Sequence, residues 1–217
     1  MKALFFSDQD IRSAVAHVLT SMADGPRSVA SAFAQKHVDE VKVIIESVSH
    51  LQSPRILDVG CGLGVTISAV KLLIPSSDCH VLDRFVEFSP DLNRQAGDFH
   101  AIVHRLNEAN ISVHQGLFTD DWQELSSRFD CVTSFDVIEH LYDPCSLLAF
   151  MESCLVSSGT CLIGTPNQVH LFNRIRALFG RNTWEDFSYW ISREPFFGHI
   201  RELTPNEMRL LPFDKLR

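Results

Sequence analysis

Apolar residues recur along this chain in two alternating rhythms. Residues 8–22 and 28–50 have helical periodicity; in the second stretch Val38, Val41, Ile44, Ile45 and Val48 stand three and four apart, a spacing that lines one face of a helix. Gly25-Pro26 separates the two and Ser53-Pro54 ends them. From Arg55 onward the rhythm changes. Short apolar runs predict strands at Arg55–Val59, Cys79–Leu82, Ile111–His114, Phe129–Phe135 and Gly159–Ile163. Between them, helices are predicted near Val65–Leu73, Gly97–Ala109 and Pro144–Val156. Strands separated by helices are βαβ units, and these require a parallel sheet covered on both faces. Right-handed crossovers then leave little topological freedom. The pattern therefore predicts an α/β fold of three layers, αβα, around a mostly parallel sheet.

The chain ends differently. Asn167–Phe179 looks helical, with Gly180 as its stop. An aromatic-rich stretch follows, containing Trp184, Phe187, Tyr189, Trp190, Phe196 and Phe197. Thr204-Pro205-Asn206-Glu207 reads as a helix start: Thr204 as N-cap, Pro205 at the first position, Glu207 completing a capping box. No sixth strand is visible. An unpaired sheet edge would invite association, so either a homo-oligomer or a partner subunit that completes the sheet is expected.

Composition narrows the function classes. The chain has 217 residues, 45% hydrophobic and 21% charged, which suits one soluble α/β domain. No apolar run approaches the roughly 20 residues of a membrane span. In the opening MKALFF the apolar piece is four residues, too little for a signal peptide. The net charge is −8 with Lys and Arg scattered singly, so nucleic acid is a poor candidate partner. The cysteines Cys61, Cys79, Cys131, Cys145, Cys154 and Cys161 form no CxxC pair. No metal site is expected on that spacing, and the thiols read as small buried hydrophobes in a reducing cytoplasm.

The chemistry concentrates in Leu57-Asp58-Val59-Gly60-Cys61-Gly62-Leu63-Gly64, a strand running into a GxGxG turn and a helix. Glycine permits the backbone angles of such a turn and lets a ligand approach the main chain. The helix behind it offers free N–H groups and a positive dipole end. A dinucleotide site wants GxGxxG. Here the third glycine comes one residue early, and Asp58 precedes the first by two. A carboxylate there repels a pyrophosphate but suits a ligand with an ammonium group.

The run Leu57–Gly64 resembles motif I of the class I S-adenosylmethionine-dependent methyltransferases, which have a Rossmann-like fold. Asp83, at the end of the second predicted strand and 25 residues after Asp58, stands where that family has its second acid. Phe135-Asp136-Val137-Ile138-Glu139-His140-Leu141 is similar to the DVIEHL-type segment of the ubiquinone-biosynthesis-like branch. Gly164-Thr165-Pro166-Asn167 and Gly198–Pro205 resemble a bacterial subgroup acting on small molecules or cell-surface sugars. The resemblance covers about residues 50–210 and implies S-adenosylmethionine as cofactor. Cofactor contacts are expected at Asp58, Gly60, Cys61, Gly62, Gly64, Asp83, Phe135 and Asp136, with Asp83 on the ribose. Where the family often has an adenine-binding acid this chain reads Gln115-Gly116-Leu117-Phe118, so main-chain groups and apolar contact from Leu117 and Phe118 are expected instead. Family members continue into a closing antiparallel strand pair, so the chain is expected to be shortened at its C-terminus.

These expectations divide one domain, 1–217, into N-terminal helices forming a lid (1–52), a cofactor-binding core (53–166) and an acceptor-side C-terminal region (167–217). The expected reaction moves a methyl group to a small-molecule acceptor, a hydroxyl on a sugar or lipid-linked intermediate. The alternative is a catalytically inactive cofactor-binding subunit that regulates or completes a partner. A nucleotide-cofactor oxidoreductase is disfavoured by the GxGxG spacing and Asp58. His140 is either the general base for that hydroxyl or a loop histidine that positions Glu139 or the cofactor. Glu139 is read as structural or orienting. His199 and Arg201 either touch the acceptor or are polar residues at a helix entry. The aromatic stretch is either an acceptor pocket or a satellite core. Arg174, Arg176 and Arg181 are read as a solvated basic face.

Overall fold

The computed structural model describes residues 4–22, 30–31, 33–85, 99–183 and 198–212. Two helices, α1 (Asp8–Thr20) and α2 (Ala34–Val48), precede β1 (Arg55–Val59), α3 (Val65–Leu73), β2 (Asp78–Asp83), α4 (Phe99–Glu108), β3 (Ser112–Gln115), β4 (Phe129–Phe135), α5 (Pro144–Cys154), β5 (Leu155–Gly164), α6 (Leu171–Leu178) and α7 (Pro205–Met208). The five strands form one sheet in the order β3-β2-β1-β4-β5, every pairing parallel. The order reverses between β1 and β4, so their C-terminal ends flank the crevice where open α/β sheets bind ligands.

Alternation along the strands sends side chains to two layers. Ile56, Cys79, Val81 and Cys131 join a core with α1, α2 and α3, while Leu57, Val59, Leu82 and Val132 join a second core with Leu147, Met151 and Cys154 of α5. The register of β4 shifts between Phe129 and Cys131, which returns Phe129 to the α5 side. The N-terminal helices are built into the core. Ile11, Val15, Val41 and Ile44 are buried and belong to the same core as Ile67 and Val70 of α3. Four such side chains at about 1.5–3 kcal/mol each bind this layer firmly.

Several boundaries depart from expectation for local reasons. Helix α2 begins at Ala34, later than residue 28, with Phe33 as an N-cap that makes no side-chain bond. Strand β3 sits one residue later than the apolar pattern, pairing Ser112 with His80. Helix α5 stops at Cys154 and β5 starts at Leu155, so the strand takes in polar Ser157 and Ser158 where only its apolar half was expected. Helix α6 begins at Leu171, because Asn167 caps its own loop, accepting from the Val169 N–H at 3.0 Å, and bridges to Leu203. The predicted α7 start is observed in full, with Thr204 and Glu207 capping reciprocally behind Pro205.

Cys79, Cys131 and Cys154 are buried and Cys61 and Cys161 half-buried, but Cys145 is exposed, against the reading of all six as buried hydrophobes. Burial raises Cys79, Cys154 and Cys161 to about 11 and Cys131 to about 12. They therefore stay protonated and inert at neutral pH. Among the described residues, no helix is long and apolar enough to cross a membrane. The six aromatic residues of 184–197 lie outside the described residues.

Candidate cofactor and acceptor site

The turn after β1 is built as the sequence demands. Gly60, Gly62 and Gly64 all have positive φ, at 77°, 53° and 66°. Two of them show different reasons for lacking a side chain. A Cβ on Gly60 would meet Val137 Cγ2 at 2.3 Å, so here the turn packs against the loop after β4. Among the described residues, a Cβ on Gly62 would meet nothing within 4 Å. That glycine faces open space, and a ligand laid over the loop would find bare main chain there.

Asp83 ends β2 beside this turn, 9% exposed. Its Oδ2 accepts from the Gly62 N–H at 2.9 Å and its Oδ1 from the Phe85 N–H at 3.0 Å. Burial raises the carboxyl's pKa, and the two N–H bonds oppose that. Each oxygen keeps acceptor capacity beyond its one backbone bond, as a diol ligand requires. Arg105 of α4 donates to the Leu63 carbonyl and holds the turn from outside.

Asp58 lies deeper. It is 4% exposed and opposite Thr133 in the β1–β4 register, whose hydroxyl donates to it at 2.7 Å. Burial lifts its pKa to about 7, with the negative charges of Glu40 and Asp83 adding to the rise and Thr133 opposing it. Burial thus favours the protonated acid, and an arriving ammonium group would draw it toward the carboxylate.

Helix α2 supplies groups that motif reading missed. Glu40 is buried at 8% exposure, accepting from the Thr66 hydroxyl at 2.5 Å, with His37 Nδ1 at 3.1 Å. Lys36 pairs with Asp136 at the tip of β4. The signal was present: Glu40 falls four residues before Ile44, on the apolar face of its helix. Asp136 has φ 54°, and its N–H donates to the Gly164 carbonyl at 2.9 Å. Phe135 is half-buried against the first core.

Cys61 packs half-buried against the same core, and burial raises its thiol well above the ordinary range. The loop after β3, where adenine contact was expected, is braced from within. The Leu117 N–H donates to Asp120 Oδ2 at 2.8 Å, and its carbonyl accepts from Trp122 Nε1 at 2.6 Å. Those main-chain groups are spent inside the loop, which leaves the exposed Leu117 side chain for apolar contact. Phe118 turns toward Phe150 of α5, ring centroids 6.2 Å apart.

The segment after β4, where the acceptor was expected, is organised around Glu139. It is fully buried; Oε2 accepts from the Thr165 hydroxyl at 3.0 Å, and its carbonyl accepts from the N–H groups of Ile200 and Arg201. Among the described residues, Oε1 is buried with no partner. Burial raises the pKa of this carboxyl. An unsatisfied buried acceptor costs about 1–3 kcal/mol, more when charged. His140 Nδ1 lies 3.1 Å from the Gly198 carbonyl, and His199 stands edge-on to His140 at 4.9 Å between centroids. His199 Nδ1 bonds Glu202 at 2.9 Å. Arg201 turns away to Glu207, matching the ordinary reading of that residue. On α6, no residue is buried and Arg174 donates to the Val169 carbonyl. A separate cleft of about 520 Å³, lined by Ser127, Glu152 and residues 155–159, lies at the opposite end of the sheet.

Residues 15–211 match the family described as a methyltransferase domain. The chain belongs to that family. The match crosses the N-terminal helices, the sheet and the C-terminal region, and with motif I and the parallel sheet it makes this a class I S-adenosylmethionine-dependent methyltransferase fold. A ubiquinone biosynthesis O-methyltransferase from Xanthomonas campestris pv. campestris is 27% identical over 150 residues, covering 67% of this chain and 55% of that protein. The chain thus spans about half the length of the curated relatives it matches. Among solved structures, YcgJ from Bacillus subtilis superposes with a TM-score of 0.52 at 19% identity, covering 82% of this chain and 67% of that one. A chain from the complex of a Haloferax volcanii methyltransferase with the Trm112 methyltransferase activator gives 0.54 at 16% identity, with 86% and 70% covered. These two likenesses concern the fold.

S-adenosylmethionine is the cofactor of this methyltransferase fold, and the turn fits it: open main chain at Gly62, a diol-ready carboxylate at Asp83 and a buried acid at Asp58.

Proposed function

We propose that this protein transfers a methyl group from S-adenosylmethionine to a hydroxyl oxygen on a small molecule, with a sugar or lipid-linked intermediate as the first acceptor class to try. The observation that carries the reading is the contact between the two halves of the site. Val137 packs over Gly60, so the segment bearing Glu139 and His140 begins where the cofactor loop turns. In this reading Asp83 takes the ribose hydroxyls, Asp58 answers the ammonium end, and Asp136, Phe135, Cys61 and Leu117 line the cofactor. His140 is assigned to the acceptor's hydroxyl. The hydroxyl reading draws on the O-methyltransferase relatives and on the pair of imidazoles at this mouth. The sulfonium supplies an activated methyl group; the protein's part is to hold two reactants in line and keep water out. A non-catalytic role draws no support from family or fold.

The test is calorimetric titration with S-adenosylmethionine and S-adenosylhomocysteine, followed by labelled methyl transfer to a panel of hydroxyl, amine and carbon acceptors. Micromolar cofactor binding with label on a hydroxyl acceptor is expected. Transfer to amines or carbon alone would overturn the oxygen assignment, and absence of cofactor binding would overturn the whole reading.

A further inference from the structure

One ligand atom each from Glu139, His140 and His199 lies within 4.8 Å of the others. Their spacing does not announce a metal site, because two of the residues are adjacent and the third follows far along the chain, unlike the close pairs typical of zinc. We propose that these three side chains bind one divalent first-row transition cation, of the zinc and cobalt class.

Four observations support the site. Among the described residues, Glu139 Oε1 is buried and has no partner, in a residue with no exposure; a cation is a ligand that suits such an oxygen. His140 donates its Nδ1–H to the Gly198 carbonyl when its lone pair is on Nε2. His199 does the same toward Glu202. Metal-ligating histidines characteristically donate the other ring N–H to a carbonyl or carboxylate, which fixes tautomer and ring orientation. Finally, the Ile200 and Arg201 N–H groups clip the His199 segment to the Glu139 carbonyl, so the third ligand is held independently of any ion. Bonds of about 2.0–2.1 Å put tetrahedral ligands roughly 3.4 Å apart, so the cluster needs to close by little more than about 1 Å.

Two imidazoles and one carboxylate favour zinc-like cations over magnesium or calcium, which prefer all-oxygen shells. Three protein ligands leave a coordination position open. If the hydroxyl-acceptor reading holds, that position takes the acceptor oxygen, and His140 serves the hydroxyl as a ligand of the ion. The coordinated O–H gives its proton to solvent, the oxygen forms the O–C bond, and the C–S bond breaks with its electron pair left on sulfur.

The experiment uses the full chain after dialysis against chelator. Cobalt(II) is titrated while visible d–d absorption is followed, and zinc(II) is then added. One equivalent of cobalt with bands bleached by zinc is expected. His199→Ala should weaken cobalt binding by at least about tenfold to a hundredfold, with Glu139→Gln as a second variant. His104→Ala, an exposed histidine paired with Glu108, should leave it unchanged. Absence of saturable absorption, or identical titrations for wild type and His199→Ala, would overturn the site. Cofactor titration on the same samples separates the readings: cobalt binding without cofactor binding leaves the cation site standing and removes the methyltransferase assignment.

Discussion

The cofactor end and the acceptor end of this site are built on opposite plans. The first is main chain: three glycines, two backbone N–H groups on Asp83, and an open face over Gly62. The second is side chain: a buried glutamate and two histidines, each oriented by a neighbour. A main-chain cradle tolerates variation around it as long as the turn survives. A side-chain cluster is defined by its residues and changes with any of them. One scaffold can thus keep a cofactor fixed while its acceptor chemistry drifts.

Removing the diol partner should break the first plan most severely. Asp83→Ala removes hydrogen bonds to a carboxylate at about 1.5–3 kcal/mol each. Calorimetry should show S-adenosylhomocysteine affinity falling by about a hundredfold, with Asp83→Asn falling less. Equal affinity in Asp83→Ala would detach this residue from the cofactor.

Gly60→Ala should damage the seam where the two plans meet. A Cβ at 2.3 Å from Val137 Cγ2, at φ 77°, adds overpacking to left-handed strain, together about 2–4 kcal/mol. Thermal melting should drop by roughly 5–15 °C. Val137→Ala in the same chain should recover part of that loss. Gly62→Ala, with open space around its Cβ among the described residues but φ 53°, carries only left-handed strain of about 1–2 kcal/mol; it should melt less far below wild type than Gly60→Ala yet bind cofactor poorly.

A pH series sharpens the contrast further. The Asp58 carboxyl has an ordinary value of 3.8 and a folded value of about 7. Between those values the folded chain keeps a proton that the unfolded chain has shed, so raising the pH drains stability across that window. Below it the carboxyl is protonated in both states. Asp58→Asn should therefore gain on the wild type as pH rises from about 4 to about 7, and the gain should level off above. A melting-temperature difference that is flat with pH would refute the raised value. The smallest effect is expected at the acceptor end's outer support. Thr204→Ala should cost about 1 kcal/mol through its lost cap, seen as a shift of a few degrees in melting.

The cofactor end was legible in the sequence because glycine spacing and strand-end acids are local patterns. Asp58, Gly60, Gly62 and Asp83 stand where the motif placed them, around one turn. What stayed hidden was carried by distance along the chain. Glu40 arrives from α2, Arg105 from α4, and His199 is brought to His140 by two backbone bonds on the Glu139 carbonyl. None of these meetings leaves a spacing signature. The bracing of the Leu117 loop was hidden for a related reason: Asp120 and Trp122, read only as neighbours, take up the N–H and carbonyl of Leu117. The start of α6 and the start of β5 slipped where Asn167 and the serines of β5 override the apolar count.

Cys145 has a practical consequence. It is the exposed thiol of the six, on the first turn of α5 and only a few residues beyond His140. Burial keeps the other five protonated at neutral pH. A maleimide dye should therefore attach at one place without any engineered cysteine. Fluorescence from that position would report on the proposed acceptor mouth, and competing small molecules could be screened by eye in a plate.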